Sequence, residues 1–467
     1  MVGNRLISFI FREFDIKERL ACLSLEWRRI ASGMFWIILF ILLGKIIGAA
    51  KEMSIAWHYG TDEIVDAYLF VFSLLSWPLS IWLSVLTVVL VPLLARMRAN
   101  TPEEIPFFYS ELLGFTLVIA LLFMVSCYLF FGVIFKTQEL GFSEHTKEIA
   151  KEMANKLIYL APLGAVISLF SVWLLAVGRH QNTLYEAIPA FILCLAIVCF
   201  SNLQLEPLVW GTVVGYVVHL LALSISLHRS GELPVPRFTF KCAFWGELGK
   251  GIGIITLGQA LIALGPIIDQ FFAANLGSGS IASLGYANRV LALILSLAAL
   301  SISRATLPVF SSEFAGSNRS VRSLALRWVF IIFGGSVVIV FFSWIAAHKI
   351  VSILFERGAF NANNTSIVTY LFQRGLLQLP LYASSLVLVS YFASSRKYFL
   401  IFISGILGLL SKVAANYLLI PAFGMTGVMY SYSVVYGINL IFFSLMFLAE
   451  ERHLKIGLRS YFMSRQP

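Results

Sequence analysis

Apolar residues along this chain come in blocks of about 20 or more, separated by short polar stretches. A helix rises 1.5 Å per residue, so such a block matches the roughly 30 Å hydrocarbon layer of a bilayer. Twelve spans are predicted, near residues 32–56, 67–95, 105–134, 153–178, 183–201, 207–227, 251–275, 281–310, 325–347, 365–394, 398–419 and 424–449. The fold class that follows is an all-α integral membrane protein. Composition agrees: 59% of the 467 residues are hydrophobic and only 12% charged, with a mean hydropathy of +0.87. A soluble chain carries about twice that share of charge.

The net charge of +10 is distributed by topology. Arg96, Arg98, Arg179, Arg229, Arg237, Lys241, Lys250, Arg319, Arg322, Arg327, Arg396 and Lys397 all fall on one side of the predicted spans, with the basic N-terminal segment and the tail. The other side holds Lys51, Lys136, Lys147, Lys151, Lys349 and Arg357, diluted by Glu139, Glu144 and Glu148. The positive-inside bias therefore places both termini in the cytoplasm, and no nucleic-acid partner is implied. Residues 1–31, with no cleavage site after the first apolar run, read as an amphipathic segment on the membrane surface. Cys22, Cys127, Cys194, Cys199 and Cys242 form no CxxC, so neither a disulfide framework nor a metal site is expected. No cofactor is expected either.

Several marks recur about 217 residues apart. Gly60 matches Gly277, Val91-Pro92 matches Leu307-Pro308, and Leu160-Ala161-Pro162 matches Gln378-Leu379-Pro380. Arg179 falls against Arg396, and Gly211 with Tyr216 against Gly427 with Tyr432. A shared offset predicts a duplication: bundles of six helices at 32–227 and 251–449, joined by a 228–250 linker containing Pro234 and Pro236, with a tail at 450–467. Six spans return the chain to its starting side. The bundles should then be parallel, related by a pseudo-two-fold axis along the membrane normal, with the substrate between them and alternating access as the mechanism.

Ionisable groups inside the spans cost roughly 2.5–3.5 kcal/mol on insertion scales and mark function by default. The candidates are Lys45, Asp269, Arg289, Arg374 and Lys412, while Lys156 and Arg304 sit near span ends, where snorkelling accounts for them. Lys45 and Glu52, seven residues apart, share a helix face beside the Gly44–Gly48 pair, which permits close helix contact. Cations outnumber acids, which suits an anionic cargo such as a pyrophosphate needing several donors. The competing structural reading is internal pairing, for instance of Asp269 with Lys412. His58, His180 and His219 are isolated and read as packing or interfacial residues.

Three segments carry a family resemblance. They are Gly44-Lys-Ile-Ile-Gly-Ala-Ala-Lys-Glu52 with Tyr59-Gly60 and Asp66-Ala67-Tyr68; Ile268-Asp269 through Gly277-Ser-Gly-Ser280 to Tyr286-Ala-Asn-Arg289; and Leu354-Phe-Glu-Arg-Gly-Ala-Phe360. The sequence resembles the MviN/MurJ-type lipid II flippases of the multidrug/oligosaccharidyl-lipid/polysaccharide exporter superfamily, over residues 32–449. The resemblance implies a cavity in which Lys45, Lys51, Glu52, Asp66 and Arg289 hold a lipid-linked pyrophosphate; Arg374 joins them as an intramembrane cation. Three departures stand out. Ser76-Trp77-Pro78-Leu79-Ser80 replaces a family arginine pair, twelve predicted spans stand against the usual fourteen, and Lys412 with Asn416 faces Asp269 where some members build a sodium site. Asp269, Lys412 and Asn416 are thus expected to form an ion-pair or coupling group.

The expected function is a flippase of the bacterial inner membrane. Its cargo would be an undecaprenyl-pyrophosphate-linked saccharide, either an exopolysaccharide or O-antigen-type repeat unit or lipid II. Envelope glycosyltransferases or a polymerase are the implied protein partners, and the transporter is expected to be a monomer. The alternative is a multidrug or organic-cation antiporter of the related branch, which would want acids in the cavity. A membrane enzyme would need a catalytic cluster on large loops, and none is present.

Overall fold

A computed structural model describes the backbone of residues 25–463 apart from 138–139, 179–181 and 316–319. Most of the predicted N-terminal segment, the end of the tail, Arg179 and Arg319 lie outside the described residues. The elements in chain order are α1 (Leu25–Tyr59), α2 (Glu63–Asn100), a 3-10 turn (Pro102–Glu104), α3 (Ile105–Ile134), α4 (Glu144–Leu157), α5 (Leu160–Ala176), α6 (Asn182–Tyr185), α7 (Ile188–Cys199) and α8 (Glu206–Arg229). After the linker come α9 (Trp245–Ala263), α10 (Gly265–Ala274), α11 (Ser280–Ala315), α12 (Ser320–Phe355), α13 (Ala362–Leu376), α14 (Gln378–Ser394), α15 (Tyr398–Phe423) and α16 (Met425–Met463). Among the described residues there is no strand.

Every predicted span falls on helix, and several are broken. Nine described helices are long and apolar enough to cross a bilayer, or ten if the α4–α5 pair, bent by 47°, counts as one span. The fourth span breaks ahead of Pro162 and the tenth ahead of Pro380, both prolines standing at the third position of the second piece. Proline fits there because the first-turn N–H groups have no intrahelical partner to lose. Repeat-related positions also share conformations. Gly60 and Gly277 both have positive φ just past a helix end, and Gly178 and Arg396 do so after α5 and α14.

The apolar cores locate the space between the helices. One cluster joins residues from both halves of the chain, among them Ile55, Tyr68, Phe70, Leu208, Val290, Phe360 and Leu376. Two further clusters stay separate. One, around Leu94, Phe108, Trp173 and Leu248, belongs to α2, α3, α5 and the start of α9. The other, around Phe310, Phe392, Phe443 and Phe447, belongs to α11, α14 and α16. The halves thus share a core at the face carrying Gly60 and Gly277 and keep their own cores toward the linker. Elsewhere apolar side chains point outward, as Leu122 on α3 and Phe330, Phe342 and Ile345 on α12 do. Lipid covers such faces.

Candidate functional site

The first feature is a seal. Three loops meet at the face where the cores merge: the turn after α1, the approach to α11, and the α12–α13 loop, which completes the Leu354–Phe360 segment begun on α12. Asp66, 2% exposed, accepts the N–H groups of Gly279 and Ala282, both at 2.7 Å. A carboxylate at a helix start fills orphan donors and favours the positive end of the dipole. The Tyr286 hydroxyl donates to Gly60 O at 2.9 Å, and the Ala359 N–H donates to Trp57 O at 2.8 Å. Phe355 and Phe360 pack on the Tyr286 ring, with centroids 5.0 and 5.4 Å away. Hydroxyl hydrogen bonds from Ser352 and Thr365 hold Glu356 below the usual carboxylate range, so it stays ionised in this loop. Gly60 and Gly279, at φ +58° and +78°, allow the close approach: a Cβ would lie 2.8 Å from Ala359 O or 2.6 Å from Thr61 O.

Behind the seal, spaces open around a charged cluster. Glu52, 7% exposed, offers one oxygen, Oε1, to two cations: Lys51 Nζ at 2.7 Å and Arg289 Nη1. A cavity of about 510 Å³ between α1, the α6–α7 break, α11 and the end of α12 is lined by Lys45, Lys51, Glu52, Glu186 and Arg289. Gly44 and Gly48 form its floor on α1. A second space of about 250 Å³ shares Arg289 and reaches Asp269 and Tyr432. A third, about 360 Å³, shares Lys51 and Glu186 and is lined by Ser76, Ser80, Ser168, Thr212, Tyr216 and His219. Lys45 makes no ion pair among the described residues. In the first cavity three fixed cations therefore stand against two acids.

The other predicted residues lie apart from this cluster. Asp66 sits in the seal with both oxygens engaged. Arg374 stacks over Tyr370 and Trp344, 4.5 and 5.1 Å from their ring centroids, and lines none of the described cavities. Lys412 and Asp269 pair at 2.9 Å, and Asn416 donates to the same Asp269 oxygen at 2.9 Å. Two acidic positions were not singled out by the sequence reading. Glu186 lies near the start of a predicted span, and the break between Tyr185 and Ile188 turns it into the cavity. Glu111 on α3 is fully buried and accepts from Thr239 Oγ1, the Lys241 and Cys242 N–H groups and Trp245 Nε1, tying the linker to α3.

A polytopic helical bundle, sealed across one face and enclosing a charged internal space, defines a membrane transporter. Its relatives narrow the class. A family model described as "Lipid II flippase MurJ" matches residues 55–464, so the chain belongs to the MurJ family. A Buchnera aphidicola (subsp. Schizaphis graminum) protein named probable lipid II flippase MurJ is 24% identical over 427 residues, covering 88% of this chain and 82% of its own length. Another, from the Baizongia pistaciae subspecies, is 25% identical over 367 residues, covering 75% and 71%. A solved lipid II flippase MurJ in an inward closed conformation shares the fold, with a TM-score of 0.75 over 93% of each chain at 17% identity. An inward-facing multidrug resistance MATE family transporter of the MOP superfamily gives 0.72 over 88% of this chain and 95% of its own, at 17% identity.

Proposed function

We propose that this protein flips an undecaprenyl-pyrophosphate-linked saccharide across the bacterial inner membrane by alternating access. The observation that carries the reading is the Lys45–Lys51–Arg289 set facing one cavity, with Glu52 bridging two of its members. A pyrophosphate offers several acceptors and competes with the Glu52 carboxylate for Lys51 and Arg289, while Lys45 is free to take a further oxygen. The residues at 32–227 and 251–449 act as two bundles around this space. The sealed face is the periplasmic one, both termini are cytoplasmic, and cargo enters from the linker side. The Gly44–Gly48 face of α1 against α11 leaves a lateral path along which the isoprenoid tail stays in lipid. A cationic cargo fits this cavity poorly, which disfavours the drug-antiporter reading.

The test is reconstitution. Proteoliposomes loaded with an undecaprenyl-pyrophosphate saccharide are monitored for exposure of the headgroup to an external glycosidase or lectin. Protein-dependent exposure is the expected result, and its absence with every such saccharide tried overturns the reading. Rescue of a strain depleted of its lipid II flippase would narrow the cargo to lipid II; translocation without rescue would narrow it to another polysaccharide unit.

A further inference from the structure

The Asp269 group does not line up with the cargo cluster, and its chemistry points elsewhere. Lys412 from α15 is 3% exposed, Asp269 from α10 6%, Asn416 from α15 0% and Ser431 from α16 0%. An ammonium has three donors. One is 2.9 Å from Asp269 Oδ1 and a second reaches Ser431 Oγ at 2.8 Å. The nitrogen also stands 3.2 Å from the Tyr432 ring centroid, a cation–π contact. The ammonium is thus held as an ion would be, by hard oxygens and a π face supplied by α10 and α16. Beside it, Asp269 Oδ2 and Asn416 Oδ1 are buried and accept no hydrogen bond. Asp269 and Tyr432 line the space that also contains Arg289, so the pocket communicates with the transport cavity.

We infer that Lys412 is a tethered resident cation. It fills an oxygen-lined pocket between α10, α15 and α16, so the chain keeps no exchangeable alkali-ion site there. A buried carboxylate without a counter-charge is costly, by several kcal/mol, and some cation must neutralise it. Here the counter-charge is covalent and independent of the ions in the medium. Deleting the Lys412 side chain beyond Cβ removes the ammonium and leaves Asp269, Asn416 Oδ1 and Ser431 Oγ around the vacated volume. Those ligands suit a hard monovalent cation. The Lys412→Ala pocket is therefore expected to take up sodium. This inference concerns ion binding alone and does not depend on the identity of the cargo.

The measurement is thermal unfolding of the purified protein in sodium chloride and in choline chloride at equal ionic strength. The wild type should show the same midpoint in both salts. Lys412→Ala should unfold earlier in choline and be raised by a few degrees in sodium, with the size of the shift following sodium concentration as linkage requires. The double variant Lys412→Ala/Asp269→Asn should lose that response. A sodium-specific shift in the wild type that Asp269→Asn abolishes overturns the inference, because it shows an exchangeable site beside Lys412. Lys412→Ala stabilised by acid but not by sodium also overturns it, since the pocket then takes a proton. So does a Lys412→Ala protein that aggregates in both salts.

Discussion

In the proposed mechanism, cargo recognition turns on Arg289 and Glu52. Arg289 lines two of the described spaces and meets Glu52, so its planar fork can serve either an internal carboxylate or a phosphate. Hydrogen bonds to charged groups contribute about 1.5–3 kcal/mol each. Arg289→Ala is therefore expected to lower the transport rate by roughly 10- to 100-fold, with Arg289→Lys between it and the wild type because a point charge lacks bidentate geometry. Initial rates in the proteoliposome assay check this. Glu52→Gln should bind cargo more tightly and turn over more slowly, since the neutral amide no longer competes for Lys51 and Arg289; paired binding and turnover measurements check it. These positions were legible because a charge inside an apolar block stands out against its neighbours. Glu111 was not, since its partners come from a segment about 130 residues away that carries no apolar signal.

At the scale of elements, the seal depends on backbone meeting backbone, and glycine is what lets it close. Gly279→Ala would press a Cβ against Thr61 O and force a left-handed φ on an L-residue. The seal should loosen. A cysteine placed at Leu69, which lines the second space, should then react several-fold faster with an impermeant maleimide added from the sealed side. No reaction above the native-cysteine background would show that the glycine is dispensable. The helices themselves were readable from apolar length, although nine among the described residues, or ten with the bent pair, are long and apolar enough to span a bilayer against the twelve predicted. Their breaks were harder. A run such as 183–201 looks continuous by hydropathy, yet it divides between Tyr185 and Ile188, just ahead of Pro189 in the first turn of α7.

For the molecule as a whole, the linker is a docked element rather than a slack tether. Glu111 gathers four donors from residues 239–245, and the Arg237 N–H donates to Ser110 O at 2.9 Å. Glu111→Ala is expected to cost about 3 kcal/mol and to lower the unfolding midpoint by several degrees, with Glu111→Gln costing less because one carbonyl acceptor survives. Calorimetry of the detergent-solubilised protein checks both. The 217-residue offset pointed to a duplication through a handful of glycines and prolines, two of which, Gly60 and Gly277, share a positive φ. The unequal packing of its cores was invisible, because hydropathy reports that a side chain is buried and not which neighbour buries it.

The double engagement of Glu52 has an electrical consequence. With a carboxylate standing in for the phosphates, the vacant carrier offsets part of its own charge, and three cations against two acids leave about one positive charge to swing back through the field. The laden stroke adds the cargo's negative charges to that balance, and each uncompensated elementary charge is worth about 2.3 kcal/mol per 100 mV. Voltage should therefore bear on both journeys, with opposite sign for the laden and the empty stroke. Recordings of charge movement in planar bilayers, with and without cargo, would separate the two.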